Sequence, residues 1–114
     1  MTNLITIETT RGKVTLLYGV RTLSIASKLK GIEGIGAFMQ AMTNPSFEDV
    51  AILLFAGHEN ACFEQKKDLV FTDIDDCFKL IEEIGLADAV KYVNEGIHQI
   101  VGTLTGSKKK VEKT

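Results

Sequence analysis

A chain of 114 residues, 45% hydrophobic and 25% charged, has the composition of one folded domain and not of a disordered polymer. Its net charge of -2 offers phosphate no basic face, which excludes the common nucleic-acid binders. The longest apolar run, Val50 to Ala56, is seven residues, well short of the ~18 needed to span a bilayer. Met1-Thr2-Asn3-Leu4 lacks the charged start and apolar segment of a secretory leader. The expected location is a cytoplasm, with Cys62 and Cys77 reduced, each on an apolar helix face.

Asn3 to Thr9 sets Leu4, Ile5 and Ile7 against Thr6 and Glu8, which predicts a strand. Thr10-Arg11-Gly12 reads as a turn and Lys13 to Tyr18 as the returning strand. A lone hairpin is marginal in water, so this one must lie on the helices or pair with a hairpin from another subunit. Gly19 ends the strand, and from Arg21 a helix is expected, with Thr22 as cap and Leu23, Ile25, Ala26, Leu29 and Ile32 at helical spacing. Gly31, Gly34 and Gly36 interrupt it, and a short helix follows from Ile35 to Met42.

The next stretch, Asn44 to His58, organises the chain. Pro45 biases Asn44 away from helical geometry. Ser46 is then placed as N-cap for the amide of Asp49, with Glu48 and Asp49 at the positive end of the helix dipole. Pro45 and Val50 occupy the hydrophobic-staple positions. The result is a central helix, apolar nearly all round, that ends near Phe63 and must be covered by the other elements. After the polar connection Glu64 to Asp68, Thr72 is expected to cap a helix whose stripe is Ile74, Cys77, Phe78, Ile81 and Ile84, closing at Gly85.

The last helix carries Leu86, Val90, Val93, Ile97, Ile100, Val101 and Leu104 on one face. Gly96 and Gly102 each cost about 1 kcal/mol there, which points to a close crossing of another backbone. The fold class is thus α+β, mostly α: an N-terminal β-hairpin followed by four to five helices packed around a central apolar helix. Residues 1–104 form a single globular domain, and residues 105–114, with Lys108-Lys109-Lys110, a disordered basic tail.

The motifs that suggest chemistry each have a simpler explanation. Leu69-Val70-Phe71-Thr72-Asp73-Ile74-Asp75 resembles the first motif of haloacid-dehalogenase-type phosphatases, in which Asp73 would be nucleophile and Asp75 general acid. Yet Asp76 and Cys77 replace the Gly and Thr of that motif, and three acids at a helix N-terminus account for the same residues. Gly31-Ile32-Glu33-Gly34-Ile35-Gly36 has the wrong order for a dinucleotide fingerprint. His58, Cys62, Cys77 and His98 suffice in number for zinc, but no close ligand pair of the usual kind is present. No nucleophile elbow occurs. The expectation is a protein without enzymatic activity and without catalytic, cofactor or metal residues. Phe38, Met39 and Met42 suit either an adaptable binding surface or the core, and the sequence assigns no protein-binding residues.

From about Lys13 to Gly102, the order of elements resembles the tail assembly chaperones of long-tailed bacteriophages and prophages, of the small kind found with Gram-positive hosts. The carriers are Leu17-Tyr18-Gly19-Val20-Arg21-Thr22-Leu23 opening a helix, the apolar helix closing with Leu54-Phe55-Ala56-Gly57-His58, Phe71 to Asp76 opening a helix that ends Ile84-Gly85, and a last amphipathic helix. They match in order and spacing, not in residue identity, and the Gly31 to Gly36 link is foreign to the family pattern. The resemblance implies a protein that self-associates as rings or spirals and coats the tape measure protein before tail-tube polymerisation. It implies residence in the host cytoplasm and absence from the mature virion. It also implies a longer form made by ribosomal frameshifting, for which Lys108-Lys109-Lys110 is the stretch an A-rich slippery sequence would encode. The alternative is a structural head-tail connector or tail component of a phage particle.

Overall fold

The computed structural model describes residues 4–105, apart from the side chains of Ile35, Leu104 and Thr105. Strands β1 (Ile5–Thr9) and β2 (Gly12–Leu16) form an antiparallel hairpin in which Ile5 faces Leu16 and Ile7 faces Val14. The turn is held by the Thr9 hydroxyl, which donates to Gly12 O at 2.7 Å and accepts from the Arg11 amide at 3.0 Å. Gly12 has φ +104°, a conformation that suits a residue without Cβ. Ile5, Ile7, Val14 and Leu16 are buried, and burial of each such side chain contributes about 1.5–3 kcal/mol. The hairpin therefore closes within the chain and lies on the helices.

Five helices follow: α1 (Val20–Lys30), α2 (Ile35–Ala41), α3 (Phe47–Gln65), α4 (Ile74–Ile84) and α5 (Leu86–Thr105). The expected class is the observed one, α+β and mostly helical, with α3 at the centre. α1, α4, α5 and β2 all pack on α3, and its residues from Asp49 to Leu54 are buried without interruption. Ser46 Oγ accepts from the Asp49 amide at 3.1 Å while Asp49 Oδ2 accepts from the Ser46 amide at 2.9 Å, a reciprocal cap of the predicted start. Lys30, at the end of α1, pairs with Asp49 and fastens the two helices. Phe38 and Met42 are core residues and Met39 is half-buried, so α2 completes the core.

Several local expectations are corrected. α1 begins at Val20 with Gly19 as its cap. The Thr22 hydroxyl instead accepts from the Gly19 amide at 3.2 Å and donates to Leu17 O at 2.8 Å, which ties strand end to helix start. Asp73, not Thr72, caps α4, because its carboxylate accepts from the Asp76 amide at 3.0 Å. The buried positions of α4 are Cys77 and Leu80, with Phe78 on the outside. On α5 the buried stripe is Ala89, Val93, Gly96 and Ile100, while Leu86 and Val101 are exposed. α3 continues to Gln65, and Lys66 closes it in the left-handed conformation. Asn3 and the chain after Thr105, including most of the predicted tail, lie outside the described residues, and α5 itself includes Thr105.

Tyr18 joins the layers. Its ring lies over Gly57 of α3 and Gly96 of α5, and its hydroxyl donates to Leu53 O at 2.9 Å. A Cβ on Gly57 would stand 2.7 Å from Tyr18 Cζ, and one on Gly96 would collide with the same ring. The close crossing expected at Gly96 is thus a side chain against backbone. A Cβ on Gly102 meets nothing within 4 Å.

Gly102→Ala is accordingly expected to stabilise by up to about 1 kcal/mol, the helix-propensity difference. Gly96→Ala should destabilise by about 1–3 kcal/mol through overpacking. In a Tyr18→Leu background the Gly96→Ala cost should shrink, and additive costs in denaturant titrations would disprove the contact as its cause.

Candidate functional site

The polar side chains that the sequence singled out do not gather into one centre. Leu69 to Phe71 is not a strand, Asp73 serves as a helix cap and Asp75 is exposed, so the strand that the phosphatase motif requires is missing. Asp76 is held below the usual carboxylate range, first by the Thr72 amide and then by Arg11, whose guanidinium lies 3.4 Å away. Its oxygens are thereby occupied. Among the described residues no group of three His, Cys, Asp or Glu side chains is placed to hold a metal ion. Of the proposed zinc set, His58 and Cys62 touch, with Sγ 3.6 Å from Nε2, whereas Cys77 lies in α4 and His98 is exposed on α5. Burial pushes the Cys77 thiol up to about 12 and also raises Cys62, so both favour the protonated thiol at neutral pH.

His58 is instead a buried tie between backbones. Nε2 accepts from the Val70 amide at 2.9 Å, which leaves the proton on Nδ1, donated to Thr15 O at 3.0 Å. Its ring also meets Phe71, with centroids 5.1 Å apart. Asn60, two residues along α3, donates to Leu17 O at 3.0 Å. One turn of α3 thus satisfies backbone groups of β2 and of the α3–α4 connection. Every polar atom named here is committed to the backbone, which makes the cluster a structural device.

One open groove is apolar. Pro45, Phe47 and Val50 from the start of α3, with Leu86 and Val90 from the start of α5, line a groove of about 350 Å³. Phe47 is 65% exposed and Leu86 42% exposed, whereas Val50 forms the buried floor. The staple positions Pro45 and Val50 both contribute to its wall. Phe47 was not singled out by the sequence, although an aromatic first helical residue in an otherwise acidic turn was a legible signal. No described helix is long and apolar enough to cross a membrane. Comparison with protein-family models, with curated proteins and with solved structures gave no match.

Burial lowers the pKa of His58 from the ordinary 6.5, with the bond to Thr15 O opposing the shift. The unfolded chain therefore binds a proton near and below pH 6.5 that the folded chain resists. The stabilisation is complete above that value and is lost as pH falls through the folded pKa. Burial would raise the pKa of Asp49, but Lys30 and the Ser46 amide outweigh it and hold the carboxyl below 3.8. The Asp49 contribution is present above 3.8 and is lost only as pH falls through that lower folded value. The melting temperature should fall between pH 7.5 and pH 5, and less steeply in His58→Gln. Equal slopes in the two proteins would remove His58 as the cause.

Proposed function

We propose that the protein is a non-enzymatic assembly chaperone of the phage-tail type. It shields apolar helical segments of a tape measure protein until tail-tube subunits replace it. The observation that carries this reading is the exposed apolar groove formed by Phe47, Leu86 and their neighbours at the joined starts of α3 and α5. A chaperone for a long amphipathic helix needs an apolar groove that is preformed in the unbound state, and a helix seats its apolar stripe in such a groove through a few anchor side chains. Self-association and action in the host cytoplasm, without retention in the virion, belong to the same reading.

Co-expression with a tape measure protein tests it. The protein should co-purify with the tape measure protein and keep it soluble. Phe47→Asp should weaken binding by about tenfold or more, as loss of an aromatic anchor does. An acid at the first helical position suits the helix dipole, so this variant should keep its fold and melting temperature. Equal binding by the variant would remove the groove from the reading. Persistence of the protein in purified virions would favour a structural head-tail connector or tail component.

A further inference from the structure

The two edges of the hairpin are treated differently by the fold. At the α3 end of β2 the outward groups are taken: Thr15 O accepts from His58, and just past the strand the Leu17 amide donates to Gly57 O at 3.0 Å and Leu17 O accepts from Thr22 and Asn60. These bonds also fix the pleat. Because Thr15 O points away from β1, Val14 and Leu16 exchange hydrogen bonds with Ile7 and Ile5, and the backbone groups of Thr6 and Glu8 face outward on β1. At the turn end the next outward amide, that of Thr10, is taken by the Glu83 carboxylate at 2.8 Å. Among the described residues nothing bonds the outward amides and carbonyls of Thr6 and Glu8.

We propose that this edge pairs with β1 of a second copy, antiparallel about a two-fold axis at Ile7, joining two hairpins into one continuous sheet. In that register Thr6 faces the partner's Glu8 and Glu8 faces the partner's Thr6. Each Thr6–Glu8 pair exchanges both backbone hydrogen bonds. A register centred on Glu8 would set two carboxylates against each other, and one centred on Thr6 would need Leu4, which precedes the strand. The charge of Glu8 is already faced by Lys13 at 3.9 Å on the same exposed surface. Self-pairing suits this edge because one two-fold contact satisfies the Thr6 and Glu8 groups of both copies at once. The inference rests on the strand edge and is independent of the groove.

Sedimentation of the purified chain over the micromolar range tests it. A concentration-dependent dimer is expected. Thr6→Pro removes an amide that β2 does not use, so the hairpin and its melting temperature should persist while dimerisation weakens by more than about tenfold. Thr6→Glu, which sets two acids opposite each other twice, should weaken the dimer, and Thr6→Lys should tighten it. A chain that stays monomeric throughout would overturn the proposal. So would a dimer indifferent to Thr6→Pro, or one whose strength ignores the sign of charge at position 6.

Discussion

A helix that is apolar on every side is stable in water only when every side is covered, and that constraint shapes this protein. α3 buries six consecutive residues from Asp49 to Leu54, which no amphipathic surface helix does. One layer of helices cannot enclose it in so short a chain. α1, α4 and α5 take part of its circumference and the hairpin takes the rest. The hairpin in turn gains what two strands lack alone, an apolar surface on which Ile5, Ile7, Val14 and Leu16 are removed from water. Helix and hairpin are each marginal without the other.

Such close packing creates a second demand, because covering α3 with a strand edge buries backbone groups that then need partners. A buried amide or carbonyl without one costs about 1–3 kcal/mol. α3 answers with side chains from one turn. His58 bridges Thr15 O and the Val70 amide, and Asn60 reaches Leu17 O. Thr22 supplies Leu17 O from the other side. Tyr18 performs the same work in reverse, bringing its hydroxyl to the α3 backbone and its ring into space that two glycines leave free. Of the residues that looked like chemistry in isolation, His58 is thus one that makes a strand edge tolerable against a helix.

What was legible in the sequence follows from this. The Ser46 cap and the apolar run behind it are local signals, and the structure has them where the residues place them. The two strands and the Gly85 stop were legible for the same reason, although the second strand spans Gly12–Leu16 and stops short of the expected Tyr18. The roles of His58, Asn60 and Tyr18 were not, because each depends on a partner far away in the chain, His58 and Thr15 being 43 positions apart. The faces of α4 and α5 were legible at Cys77, Val93 and Ile100, which are buried, and at Ile74, Ile81, Ile84, Val90 and Ile97, which pack half-buried on the core, but not at Phe78, Leu86 and Val101. Phe78 and Val101 are apolar but exposed, while Leu80, Ala89 and Gly96 are buried, Gly96 under the Tyr18 ring. Periodicity ranks residues by hydrophobicity, whereas a tight crossing selects them by size.

The groove and the open β1 edge arise from the same geometry, at the places where covering runs out. Phe47, in the first turn of α3, stays 65% exposed beside Leu86 and Val90 from the start of α5. The hairpin places the α3 end of β2 against α3, and on β1 Glu83 takes the edge at the turn and no further. An apolar groove and a strand edge also call for different occupants, since one is matched by side-chain shape and the other by backbone hydrogen bonds. The proposed self-pairing and the proposed helix binding therefore draw on different surfaces of the chain.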